Sequence, residues 1–184
     1  MNKLIITVLG KDRPGIISCI SNHLYDLDCN LENANQMILQ NQFAGFFIIE
    51  PPSSLTFDHI QKILTEKTRD TGLTIHVNAL EGNGKGLDNP GDEIFLITTI
   101  GPDQKGLVAR FSSIIAEFNA NIVNLKAVFK GGSDPKANVM SYQVCISRDV
   151  DAQAMFKALK KKADQLNLDI RIQHKNIFDV INKI

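Results

Sequence analysis

The residues best suited to chemistry in this sequence are glycines and aspartates at matching positions in two short stretches. The first is "LGKDRPGIISCI" (residues 9–20), and the second, 91 positions later, is "IGPDQKGLVARF" (residues 100–111). In both, an apolar run ends at a glycine, an aspartate follows two positions later, and a second glycine precedes a helical pattern. The matching residues are Gly10, Asp12 and Gly15 in the first stretch and Gly101, Asp103 and Gly106 in the second.

Each stretch is suited to hold a small zwitterion. The first backbone N–H groups of a helix have no partner within the helix and favour an anion such as a carboxylate. The carboxylates of Asp12 and Asp103 could pair with an ammonium group, and the glycines let a ligand approach the backbone closely. Asn30 and Asn121, at the start of the next predicted strand in each half, offer both donors and acceptors. An amino acid carries both charges and therefore matches this set of groups.

A purely structural interpretation of the two turns stays open beside this one. Aspartate before a helix commonly caps it by accepting a hydrogen bond from a backbone N–H group. Glycine between a strand and a helix commonly serves backbone geometry alone. On this interpretation, Asp12 and Asp103 cap their helices, and the chain is an interaction module without a ligand.

The elements around the first turn follow the order β-α-β-β-α-β. Apolar runs rich in β-branched residues and bounded by turn-forming residues predict strands. Apolar residues at helical spacing predict one helix after Pro14 and a second after the proline–serine break at residues 51–54. The predicted strands cover residues 4–10, 29–39, 43–50 and 73–79.

The same order recurs in the second half, with strands predicted over 93–101, 121–129, 140–146 and 168–173. The offset between the halves grows from 91 to about 95, which places an insertion in the hairpin loop at 130–138. The predicted fold is α+β, with two ferredoxin-like βαββαβ domains in tandem and both helices of each domain on one face of an antiparallel sheet. The expected bounds are 1–80 for the first domain, 81–92 for a glycine-rich linker, 93–174 for the second domain and 175–184 for a tail.

Composition argues against several classes of function. Twenty basic and twenty acidic residues give a formal net charge of zero, so no broad basic surface for nucleic acid or an anionic membrane is expected. The three cysteines form neither a disulfide framework nor a zinc pattern, and Cys19 with His23 lacks further ligands nearby in sequence. No signal peptide, membrane span, cofactor motif or catalytic constellation is recognisable, so we expect a cytoplasmic protein that is not an enzyme.

A basic cluster, "KALKKKAD" (residues 157–164), lies on the last predicted helix. Its simplest interpretation is a solvated face opposite the apolar positions Phe156, Leu159 and Ala163. A small patch for an acidic partner is the alternative.

The two halves resemble the ACT domain family, whose members bind small molecules, often amino acids, and regulate other proteins. The resemblance covers the chain except for the linker and the tail, and the second half departs from it at Lys105, where the first half has Pro14. The residues that carry it, and that it implies for ligand binding, are Gly10, Asp12, Pro14, Gly15, Ile16 and Asn30 in the first half and Asp103, Gly106, Leu107 and Asn121 in the second.

Two such domains with nothing else attached are similar to ACT regulators of glycine cleavage genes. The resemblance implies an amino-acid-responsive protein, with glycine as one small candidate ligand, that acts on transcription through a transcriptional activator protein rather than by direct contact with nucleic acid. A homodimer is a further expectation. The alternative is a regulatory or interaction subunit of an enzyme of one-carbon or amino-acid metabolism, with no ligand of its own.

Overall fold

The computed structural model of the chain describes residues 3–80, 91–129 and 138–176. The chain divides into two compact units, Met1–Asn83 and Gly84–Ile184. Most of the predicted linker, the inserted hairpin loop and most of the predicted tail lie outside the described residues.

The first unit is a four-stranded antiparallel sheet in the strand order β2-β3-β1-β4. Its elements are β1 (Leu4–Lys11), α1 (Ile16–Asp26), β2 (Asn30–Leu39), β3 (Gln42–Glu50), α2 (Phe57–Lys67), a short 3-10 helix (Arg69–Thr71) and β4 (Thr74–Ala79). β2 and β3 are joined by the two residues Gln40 and Asn41, both with positive φ, as in a type I′ hairpin turn.

Alternation along the strands builds the core of the first unit. In β1, Leu4, Ile6 and Val8 are buried, whereas the residues between them are only partly buried. They lie in one apolar cluster with Ile20 of α1 and Leu64 of α2, so both helices cover the same face of the sheet. β2 is one of the two edge strands, and all ten of its residues are exposed.

The second unit repeats this arrangement with the strand order β6-β7-β5-β8. Its elements are β5 (Glu93–Gly101), α3 (Leu107–Glu117), β6 (Asn121–Phe129), β7 (Asn138–Ile146), α4 (Ala152–Gln165) and β8 (Asp169–His174). A second, separate core cluster contains Phe111 of α3, Tyr142 of β7 and Leu159 of α4. The predicted fold class, two βαββαβ units in tandem, is confirmed.

The strand registers of the two units match in detail. A bulge between Leu31 and Asn33 in β2 recurs between Ile122 and Asn124 in β6, at the same offset of 91. The second bulge removes Val123 from the regular alternation of β6.

Candidate functional site

The first turn leaves the N-terminus of α1 without a cap. Gly15 is the N-cap residue with φ of 93°, and no side chain accepts a hydrogen bond from the first turn of the helix. The first intrahelical bond runs from the N–H of Cys19 to the carbonyl of Gly15 at 2.8 Å. The N–H groups of Ile16, Ile17 and Ser18 therefore remain available to an acceptor.

The other turn has the same geometry. α3 begins after Gly106, which has φ of 81° and again supplies no side-chain cap. By contrast, α2 is capped by Thr56 and α4 by Asp151, whose side chains accept bonds from backbone N–H groups at 3.4 and 2.9 Å. The prediction that Asp12 and Asp103 could cap their helices was wrong, because left-handed glycines occupy the N-cap positions instead.

An open cavity of about 390 Å³ lies against the uncapped end of α1. It brings together four of the predicted residues, Asp12, Pro14, Gly15 and Ile16, with Ile38 of β2 and Phe43 of β3 on the apolar side. Its volume is in the range typical of small-molecule sites.

The backbone of Asp12 is fixed, and its carboxylate is unpaired among the described residues. Its N–H donates to the carbonyl of Asn41 at 2.9 Å, which ties the turn to the β2–β3 hairpin. No described side chain or backbone group donates to its carboxylate. The Asp12 carboxylate, the Arg13 side chain and a set of free N–H donors therefore border one cavity, which offers a partner to each charge of a zwitterion.

Gly10 belongs to a strand and not to the cavity. It lies within β1, opposite Phe43, as the predicted strand over residues 4–10 requires, but it does not line the cavity for which it was a candidate. A Cβ atom on Gly10 would lie 2.7 Å from Cδ2 of Leu73, and one on Gly101 would lie 2.6 Å from Cδ2 of Leu168. The structure thus shows a packing role for Gly10 and Gly101.

Sequence reasoning missed one pair of positions that brace the turns. The guanidinium of Arg13 donates to the carbonyl of Thr71 at 3.5 Å, and the amide of Gln104 donates to the carbonyl of Leu166 at 2.7 Å. Arg13 and Gln104 are 91 positions apart, so both turns are tied to the connection between the second helix and the last strand of their unit. In the sequence, the only sign of this bracing role is that residues 13 and 104, at matching positions, are both polar.

Asn30 and Asn121 are not brought to the turns within their own units. Asn30 pairs with Glu50, whereas Leu39, at the other end of β2, pairs with Gln42 beside Lys11. The two ends are nine positions apart in sequence, which is about 30 Å along the strand. Asn121 likewise pairs with Cys145, at the far end of β7 from the second turn.

The second turn differs from the first in its surroundings. Asp103 is exposed whereas Asp12 is partly buried, and Lys105 stands in the place of Pro14. Leu107 is buried at the start of α3, as Ile16 is at the start of α1. Asn138, only 3% exposed, pairs with Gly101 at the position where Phe43 pairs with Gly10. The two turns share backbone geometry but not the side chains around it.

Other candidate groups do not form a site. Within the described ranges, no group of three or more His, Cys, Asp or Glu side chains could hold a metal ion, so Cys19 and His23 gain no further ligand there. Burial raises the pKa of the Cys29 thiol, and the neighbouring Asp28 carboxylate raises it further, so this thiol is protonated at neutral pH. No helix in the part of the chain that the structure covers is long and apolar enough to cross a membrane.

Comparison with known proteins identifies the repeated unit. The ACT domain family model matches residues 2–78 and 93–173. The chain is 24% identical over 166 residues to the glycine cleavage system transcriptional repressor of Escherichia coli K12, across 89% of this chain and 85% of that protein. It is also 34% identical over 76 residues to a UPF0237 protein of Clostridium acetobutylicum, across 41% of this chain and 85% of the relative.

Two solved structures share the fold over nearly the whole chain. One is an unknown protein from Galdieria sulphuraria, with a TM-score of 0.77 and 21% identity over 94% of this chain and 98% of that one. The other is assigned as a glycine cleavage system transcriptional repressor, with a TM-score of 0.70 and 14% identity over 94% of this chain and 96% of that one. With the family model matched in both units, the chain belongs to the ACT domain family and carries two ACT domains in tandem.

Proposed function

We propose that this chain is an amino-acid-responsive regulatory protein that acts on transcription through a protein partner. The observation that carries the proposal is the first turn, where the uncapped N-terminus of α1 and the unpaired carboxylate of Asp12 border one cavity. The ligand carboxylate would accept from the N–H groups of Ile16 to Ser18, and its ammonium group would pair with Asp12. The apolar wall of Ile38 and Phe43 can contact an apolar side chain, and the similarity to the glycine cleavage system repressor makes glycine the first candidate.

The transcriptional part of the proposal rests on similarity along almost the whole chain. The Escherichia coli relative is named as a transcriptional repressor of the glycine cleavage system and aligns with 89% of this chain. The formal net charge of zero does not favour binding to DNA, where cationic contacts to phosphates supply most of the affinity. We therefore assign the effect on transcription to contact with a transcriptional activator protein of glycine cleavage genes, in the cytoplasm.

A second copy of the chain would complete the site at the first turn. β2 is an edge strand with all ten residues exposed, so its backbone can pair with another strand. If two copies pair antiparallel through β2, Asn30 of the second copy lies near Leu39, at the end of the strand that borders the turn. A homodimer of this kind would unite Asp12 with the amide that the sequence resemblance implies.

Regulation requires that the ligand bind two states of the protein unequally. An amino acid that favours the partner-bound state tenfold shifts that equilibrium by about 1.4 kcal/mol, and the partner raises the affinity for the amino acid by the same factor. The factor by which the partner raises the affinity for the amino acid must therefore equal the factor by which the amino acid raises the affinity for the partner.

Calorimetric titration of the full chain with each of the twenty common amino acids tests the proposal. We expect heat from glycine or another small amino acid, and a saturable isotherm. Absence of binding by all twenty would overturn the amino-acid response and leave a module that works by protein contact alone.

A mixing experiment tests whether the site lies between two copies. Asp12→Asn and Asn30→Ala chains should each bind weakly as separate homodimers. After exchange of subunits, a mixed dimer contains one site with both native residues, so mixing should restore binding to a fraction of the sites. If mixing restores nothing although sedimentation shows exchange, Asn30 does not complete the site from a second copy.

A further inference from the structure

A groove of about 470 Å³ lies between α3 and α4 on the surface of the second unit. Ile114 of α3 and Ala158 of α4 provide its apolar part. Arg110, Lys161 and Lys162 line it as cations and Glu117 as the single anion, which gives a formal net charge of +2.

The spacing of the lining residues fits a helical occupant. They lie at positions 110, 113, 114 and 117 of α3 and 158, 161, 162 and 165 of α4. Each set follows the i, i+3, i+4, i+7 pattern of one helix face. Two helix faces therefore border the groove, each about 10 Å long along its helix axis. An amphipathic helix that presents a short apolar stripe can lie in such a groove.

The first unit shows that the fold does not impose this charge. The equivalent positions follow from an offset of 91 for α1 and 95 for α2. On α1, Cys19 stands for Arg110 and Asp26 for Glu117. On α2, Glu66 stands for Lys161 and Lys67 for Lys162. Asp70 stands at the equivalent of residue 165, so three anions and one cation give the equivalent positions a formal net charge of −2. The offset for α2 is fixed by the buried pair Leu64 and Leu159.

The α4 helix carries four lysines and one carboxylate, that of Asp164, four positions after Lys160. Among the described residues, only Lys3 and Glu32 form an ion pair. No salt bridge within that part of the chain therefore involves Lys157, Lys160, Lys161 or Lys162. Lys157 and Lys161 are four residues apart on one helix, an arrangement that destabilises the helix by itself. A partner with the opposite charge would relieve this repulsion.

We propose that the groove between α3 and α4 binds an acidic amphipathic helix of a partner protein. This deepens the proposed function by assigning the surface for the partner, and it rests on the partner-mediated part of that proposal, not on amino-acid binding. A protein helix fits better than nucleic acid, because the groove is only two helical turns long and has an apolar floor between its cations. Binding to duplex DNA is instead an outcome of the test.

The test uses a synthetic stapled helical peptide with a leucine stripe flanked by glutamates, titrated into isotopically labelled full-length protein. A peptide with lysines in place of the glutamates and a 16-base-pair DNA duplex serve as comparison probes. We expect the acidic peptide to shift the amide resonances of α3 and α4, and both comparison probes to leave them unchanged.

Charge reversal at matched positions sharpens the result. Lys161→Glu with Lys162→Glu should weaken binding of the acidic peptide at least tenfold, whereas Lys67→Glu, at the position in the first unit equivalent to Lys162, should not change it. Resonance shifts outside α3 and α4, equal affinity in the double variant, or shifts caused by DNA alone would each overturn the proposal.

The groove and the amino-acid response can fail separately. Peptide binding at α3 and α4 without heat from any amino acid would support the groove and contradict the ligand response. Amino-acid heat that persists in the double variant, together with no peptide binding by the native chain, would contradict the groove alone.

Discussion

Gly10 and Leu73 lie so close that a Cβ atom on the glycine would stand 2.7 Å from Cδ2 of the leucine and 3.1 Å from the carbonyl oxygen of Gly72. Gly101 and Leu168 repeat the relationship at 2.6 Å. Gly10, the residue before the last of β1, and Gly101, the last residue of β5, therefore pack directly on the chain that enters β4 and β8. In each unit, this contact fixes the strand two residues before the aspartate of the turn, Asp12 or Asp103.

Replacing Gly10 with alanine should destabilise the first unit by about 1–3 kcal/mol, because the added methyl group overlaps Leu73 and the adjacent backbone. Urea unfolding measures the loss. Adding Leu73→Ala to Gly10→Ala removes one of the two overlaps, so the combined loss should be smaller than the sum of the two single losses. Strictly additive losses would show that the contact with Leu73 is not the cause.

Gly15 should tolerate asparagine better than alanine. Its φ of 93° is costly for any L-residue, but nothing within 4 Å obstructs a side chain. Alanine should cost about 1 kcal/mol or more, whereas asparagine adopts left-handed conformations more readily and should cost less. Thermal unfolding of the two variants checks the order, and equal losses would point to the side-chain environment rather than to φ.

Replacing Thr99 with valine should stabilise the second unit. It is 1% exposed, and its hydroxyl oxygen has no hydrogen-bond partner among the described residues. Val8 occupies the equivalent position in the first unit, so the fold accepts valine there. Thr99→Val should raise the free energy of unfolding by about 1 kcal/mol, and the reciprocal Val8→Thr should lower it. A loss of stability in Thr99→Val would reveal a partner for the hydroxyl group.

Tyr142 should ionise only in strong alkali. It is fully buried, and burial raises its pKa from 10.0 to about 12. Between these values the unfolded chain loses the phenol proton while the native chain keeps it, so native stability falls as pH rises, by at most about 2–3 kcal/mol.

Absorbance at the phenolate wavelength measures this shift directly. The chain has two tyrosines, so a Tyr25→Phe variant leaves only the signal of Tyr142. The midpoint should lie near 12, and Tyr142→Phe should remove this contribution to the alkaline loss of stability. A midpoint near 10 in the folded variant would contradict complete burial.

Much of the fold could be predicted because the sequence marks it locally. Apolar alternation indicated the strands, and the matching glycines indicated that the second half repeats the first. The change in offset from 91 to 95 was also predictable, since Ile38 matches Phe129 before the hairpin and Phe43 matches Asn138 after it. These features depend on neighbours in sequence.

The composition of the site depends on distances that local patterns do not contain. Asn30 was grouped with Asp12 on residue type, yet α1 runs back along the sheet, so β2 begins at the end opposite the turn. The helix direction alone would have indicated this. The packing of Gly10 on Leu73 could not be inferred from the sequence. It joins residues that are 63 positions apart and depends on how closely the chain that enters β4 approaches β1.

The most direct test of the account compares the two turns in one calorimetric experiment. The amino acid that binds the native chain is titrated into Asp12→Asn and Asp103→Asn, which remove one charge each and preserve side-chain size. Since no described group donates to the carboxylate of Asp12, the first variant should keep native stability. We predict at least a tenfold loss of affinity in Asp12→Asn and little change in Asp103→Asn. Native affinity in Asp12→Asn would contradict a ligand site at the first turn.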